Sequence, residues 1–140
     1  DTHAALVPWL GKPGNAAGRA ALGRLRIGWD TAWFVFTRRS LPAYVAEARA
    51  AFPQFDTLPL LSRGALVSLV YNRGAAMQDG SADDRRLEMR QIRDALAAGH
   101  PEQVPAALLA MQRLWPEVRG LRDRRAREAA LFQEGLDSGT

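Results

Sequence analysis

The chain has 140 residues, 47% hydrophobic and 24% charged, with a net charge of +4; that suffices for one domain with a real core and is too little for two. It holds no cysteine, and its imidazoles are His3 and His100, which excludes a disulfide framework and a thiolate metal site and leaves no basis for expecting zinc or another cofactor. No run of eighteen apolar residues occurs, so no membrane-spanning helix is expected, and the start DTHAALVPWL has neither a basic leader nor a cleavage pattern.

Turn and cap signals divide residues 1–140 into seven or eight helical segments with no convincing strand. After the GKPG turn, Asn15 is a good N-cap for AAGRAALGRL, and Asp30 for TAWFVFTRR. Trp29 and Trp33 lie one turn apart, a spacing that more often anchors a helix on its neighbours than stacks on a sugar. Ser40 and Pro42 predict a helix restart in a new direction, since proline is welcome only in a first turn. Beyond the turn from Pro53 to Pro59, residues 61–71 are apolar around most of the circumference, which predicts a central helix over about 61–73, surrounded by others. It ends at Asn72-Arg73-Gly74.

Ser81 followed by Asp83 and Asp84 reads as the capped start of a helix that Gly99 ends. On that helix Glu88 shares a line with Ile92 and Leu96, one turn after Asp84, where partial burial and a like charge both disfavour the ionised form. Residues 101–115 predict one amphipathic helix packed along Val104, Leu108, Met111 and Trp115. In LRDRRAREAALF, stepping from Leu121 by four, three and four reaches Arg125, Glu128 and Phe132, so an arginine and a glutamate sit on the inward line and can pair structurally. Residues 135–140 read as a tail.

Net charge comes from eighteen arginines against a single Lys12. Guanidinium forks suit carboxylates and phosphates alike. These are scattered over every predicted helix rather than gathered on one, so nucleic acid is not the expected partner. The pairs Arg38-Arg39, Arg85-Arg86 and Arg124-Arg125 read as solvated faces, and His3 and His100 as surface residues.

The order of LVSLVYNRG, RRLEMRQIRDAL, MQRLW and GLRDRRAREAALF resembles the C-terminal lobe of the phage-type lysozymes, the endolysin or muramidase family, and IGWDTAWFVFTRRSLPAYV is similar to the helix linking the lobes of such enzymes. The similarity covers roughly residues 15–133 and rests on the order and spacing of motifs. It implies a mainly α, lysozyme-like helical lobe within a single domain over 1–140, without the family's small β-hairpin subdomain. It also implies cleavage of the bond between N-acetylmuramic acid and N-acetylglucosamine in peptidoglycan, in the periplasm or on the cell wall. The family's catalytic glutamic acid would then lie upstream of Asp1, on an N-terminal segment or a larger parent protein. Peptidoglycan glycan strands are the implied partner.

By that resemblance the polar end of the central helix faces the sugar cleft. Asn72 is then a candidate ligand for N-acetyl and hydroxyl groups, with a helix cap beside Gly74 as the competing reading. Tyr71 supports the cleft wall or fills core. Arg73 contacts glycan or peptide-stem carboxylates, or pairs with Asp79 or Glu88. Glycoside hydrolysis uses two carboxyl groups about 5 to 9 Å apart, one held protonated. Glu88 is the only candidate catalytic carboxylate with a sequence reason to be near a cleft, and an ion pair with an arginine is its competing role. The alternative function is a non-catalytic helical module that binds peptidoglycan or a protein partner.

Overall fold

Asn15 stands just outside α2 (Ala16–Leu22) with extended backbone, and its Oδ1 accepts from the Gly18 amide at 2.8 Å, satisfying one donor that the helix start leaves open. The computed structural model describes residues 2–139, which divide into two units with the boundary between Ser40 and Leu41. The described residues are mainly helical and include no strand. No helix among them is long and apolar enough to cross a membrane.

The first unit consists of α1 (Thr2–Leu6), a 3-10 turn at Val7–Trp9, α2, α3 (Trp29–Val35) and a π turn at Phe36–Ser40. Gly28, not Asp30, occupies the N-cap position of α3, and Asp30 lies in the first turn, where the helix dipole still favours a negative charge. Trp29 and Trp33 do not anchor the helix in a core as expected. Their rings stack on one another at 6.1 Å, yet they remain 76% and 54% exposed. The reason is local: the helices here run five to seven residues, and Gly18 is the one buried residue described in the unit, lying against Trp9.

The second unit begins with α4 (Leu41–Ala51). Pro42 sits in its first turn, as proline requires. Ala48 of α4 and Phe52, Phe55 and Leu58 of the following turn enter the core. Next comes α5 (Leu60–Arg73), which buries Ser62, Ala65, Leu66, Leu69 and Val70. It is less enclosed than its composition predicts: Leu60, Gly64 and Tyr71 form an exposed line along the opposite side. Full burial of Leu66 and Leu69 contributes about 1.5–3 kcal/mol each.

A longer loop than predicted precedes α6 (Leu87–Ala97). Ser81 does not cap this helix. Its amide and hydroxyl both donate to the Asp79 carboxylate, and Asp84 adopts φ +40°, a region sparsely occupied by residues other than glycine. The helix then ends as expected. Gly99, at φ +78°, donates to the Leu96 carbonyl and His100 to that of Ala95, two bonds that close a Schellman motif. His100 stays exposed, 3.0 Å from Glu102.

Residues 101–115 are not one helix. Short 3-10 turns at Pro101–Gln103 and Met111–Leu114 flank α7 (Val104–Ala110), near Pro101 and Pro105, which have no backbone donor. Val104, Leu108 and Met111 nevertheless face the core fully, whereas Trp115 is half-buried. Finally, α8 (Arg119–Ser138) takes in residues 135–138, expected as tail; Thr140 lies outside the described residues.

α8 packs on α5, and the two backbones approach closely at Gly135. Ser62 Oγ donates to the Phe132 carbonyl at 2.8 Å, and a Cβ on Gly135 would lie 2.6 Å from the Ser62 nitrogen. Gly135→Ala therefore forces the two backbones apart and lowers stability by at least about 1–3 kcal/mol in urea unfolding. An unchanged midpoint and slope would show that the helices separate freely.

Candidate functional site

The last turn of α5 leaves the core at Val70 and ends at Gly74, whose φ of +72° suits a residue without a Cβ. Asn72 and Arg73 are thereby delivered to a cleft of about 490 Å³, also lined by Gln78, Asp79, Arg85, Arg86, Trp115 and Leu121. The lining comes from α5, the loop before α6, the turn after α7 and the start of α8.

Arginine organises this end of the unit from beneath. Arg125 is wholly buried; its Nη2 donates to Glu128 Oε1 at 2.9 Å and to Asn72 Oδ1 at 3.2 Å. Its Nη1 meets the Met111 sulfur at 3.7 Å. Glu128 also accepts from Ser68 Oγ at 2.7 Å and from Arg124 at 3.3 Å. Burial pushes the Glu128 carboxyl up, against the Ser68 hydrogen bond and the charges of Arg125 and Arg124. The Arg125 guanidinium is drawn down by the same burial. One bonded chain thus links the inside of the fold to the Asn72 amide at the cleft.

Tyr71 does not fill core: it is half-exposed, edge-on to Tyr44 with centroids 4.9 Å apart, and the Arg124 guanidinium lies 5.8 Å from its ring centroid. Arg73 pairs with neither Asp79 nor Glu88. Its Nη2 donates to the Arg85 carbonyl, and its guanidinium covers the Trp115 ring at 5.0 Å, a cation–π contact. Arg86 in turn donates to the Arg73 carbonyl at 2.9 Å. Burial first, then the positive charges of Arg86 and Arg125, pull Arg73 down to about 10. Nor are the predicted solvated pairs solvated throughout, because Arg86, Arg124 and Arg125 are engaged in these contacts.

Glu88 is buried under the loop, away from the cleft lining, and is gripped by Arg113 through Nε at 2.5 Å and Nη2 at 3.2 Å. The same guanidinium donates to the Asp83 and Asp84 carbonyls. Asp84 itself is turned to Arg90, which also holds the Met77 carbonyl at 2.9 Å. Two carboxylates that share a line in sequence are therefore separated by different arginines. Sequence reasoning missed Arg113, Arg86, Ser68 and Trp115 as partners at this end. Local spacing carries no signal for them: Arg113 is 25 residues from Glu88, and Ser68 is 60 from Glu128.

Asp79 is the carboxylate of the cleft. It accepts from the Ser81 amide and hydroxyl and from the Arg85 amide, and the Ser81 bonds hold it below the usual carboxylate range. A carboxyl with a lowered folded-state pKa stabilises the loop above its unfolded value, and that contribution is lost as pH falls through the lowered value. The Ser81 and Arg85 amide resonances should accordingly move together in acid, with a midpoint below that of an ordinary Asp, and lose the transition in Asp79→Ala. Titration at the ordinary value would mean that these bonds do not persist in solution.

Comparison with protein-family models, with curated proteins and with solved structures finds no match to this chain.

Proposed function

We propose that the chain is the glycan-gripping helical lobe of a lysozyme-type peptidoglycan hydrolase, acting in the periplasm or on the cell wall. The observation that supports it is the cleft at the polar end of α5, where Asn72, Arg73 and Trp115 meet, the place at which the resemblance to phage-type lysozymes puts the sugar. Asn72 spends its oxygen on Arg125 and keeps its NH₂ for a sugar hydroxyl or N-acetyl carbonyl. Arg73 and Arg86 offer charge to carboxylates of the peptide stem.

Cleavage is a separate matter from grip. A glycosidase needs a carboxyl group that is protonated beside the scissile oxygen. Asp79 is held ionised by its three donors, and Glu88 is closed off beneath Arg113. These two placements favour the second reading for the chain by itself, a module that binds peptidoglycan without cutting it.

Sedimentation with insoluble peptidoglycan, run beside an assay for released muropeptides, separates the readings. Co-sedimentation that weakens several-fold in Asn72→Ala, without muropeptide release, supports a binding lobe; release supports the hydrolase outright. A chain that stays in the supernatant at every concentration sinks both.

A further inference from the structure

We propose that the cleft is a receptor for a phosphomonoester, with the phosphoryl group held among the guanidinium groups of Arg73, Arg85 and Arg86. Among the described residues none of these three is paired with a carboxylate. Arg125 behind them is already matched by Glu128. Three cations against the single carboxylate of Asp79 leave a surplus of two positive charges around one opening. A phosphomonoester carries about −1.5 to −2 near neutral pH, which matches that surplus, whereas a lone carboxylate would leave part of it standing.

Hydrogen bonding points the same way. Arg73 Nη1 and Arg86 Nη1 are both buried and have no acceptor. A buried donor left open costs about 1–3 kcal/mol; both belong to guanidinium groups that line the cleft, so a side-chain turn would offer them to an acceptor with several oxygens there. A phosphoryl group has three, and arginine is suited to bind it with more than one N–H. The backbone is already set for this. Arg85 is fixed through its amide to Asp79 and its carbonyl to Arg73, and its side chain extends from that anchor into the exposed rim. Arg86 is fixed through Arg73. Like charges held together by main-chain bonds rather than by acids remain available to an incoming anion.

The inference uses the same cleft as the glycan reading but does not depend on it. A sugar phosphate would engage both the guanidinium cluster and the Asn72 amide.

Isothermal titration of the whole chain with inorganic phosphate and with N-acetylglucosamine 6-phosphate, at constant ionic strength in chloride, tests the site. N-acetylglucosamine serves as the uncharged control. Both phosphates should bind more tightly than the control. A gain of about tenfold for the sugar phosphate over the inorganic ion would assign the ligand as a phosphosugar, and equal affinities would assign the phosphoryl group alone. Arg85→Gln, at an exposed rim side chain whose charge otherwise acts on Asp79, should weaken binding about tenfold with a nearly unchanged melting temperature; Arg86→Gln should weaken it as well, with a lower melting temperature because Arg86 also donates to the Arg73 carbonyl. The proposal is overturned if neither phosphate binds at millimolar concentration, or if a folded Arg85→Gln/Arg86→Gln double variant binds as the natural chain does. Peptidoglycan sedimentation is read separately, so either idea can fail while the other stands.

Discussion

Arg125→Met should lower the unfolding free energy by about 3–5 kcal/mol, the loss expected when one member of a buried ion pair is removed and its partner stays behind. The side chains of Arg125 and Glu128 are 0% and 4% exposed, so Glu128 cannot turn to water for compensation. It would retain Ser68 and the longer contact from Arg124. Changing both residues, as Arg125→Met with Glu128→Leu, should cost less than the sum of the single changes, with a coupling of about 0.5–3 kcal/mol. The dependence on pH has a definite sign. Because burial raises the folded-state pKa of Glu128, its contribution is fully present below the unfolded value and is lost as pH rises through the folded one. Without Arg125 the carboxyl is pushed further in the same direction. The deficit of Arg125→Met should therefore be smallest in acid and widen toward neutral pH in urea unfolding. A deficit that is the same at every pH would mean that Glu128 is not held as an ion by Arg125.

This pair was legible from sequence because all its information is local: Leu121, Arg125, Glu128 and Phe132 recur at helical spacing, and spacing fixes a face. The same holds for the Asn15 cap and the Gly99 stop. Legibility fails where a side chain is claimed by a loop neighbour or a distant element instead of by its own helix. Ser81 looks like a cap until Asp79, two residues earlier, takes both its amide and its hydroxyl. Trp29 and Trp33 look like core because tryptophan usually is, but one apolar stripe cannot become core without an element to cover it. At the cleft, Asn72 and Arg73 were visible as polar groups ending an apolar helix. The groups that surround them, Arg85, Arg86 and Trp115, arrive through the loop and the turn after α7, whose paths no periodicity encodes.

Glu88 and Arg113 offer an asymmetric version of the buried pair, and the asymmetry bears on function. The glutamate side chain is 2% exposed and the arginine 39%. Arg113→Met strands a buried carboxylate and also removes the donor that holds the Asp83 and Asp84 carbonyls; a loss of about 3–5 kcal/mol is expected. Glu88→Met keeps the volume and frees Arg113 to reach water, so its cost should stay below about 1.5 kcal/mol. Were the two variants equally destabilised, the pair would owe its position to something other than burial of the acid. The same Glu88→Met protein carries the functional question, since it is expected to fold. A glutamate that serves the loop can be replaced without effect on peptidoglycan sedimentation or muropeptide release. A glutamate that protonates a glycosidic oxygen cannot, and a folded Glu88→Met chain that has lost a measurable release of muropeptides would move the catalytic acid from the upstream segment to Glu88.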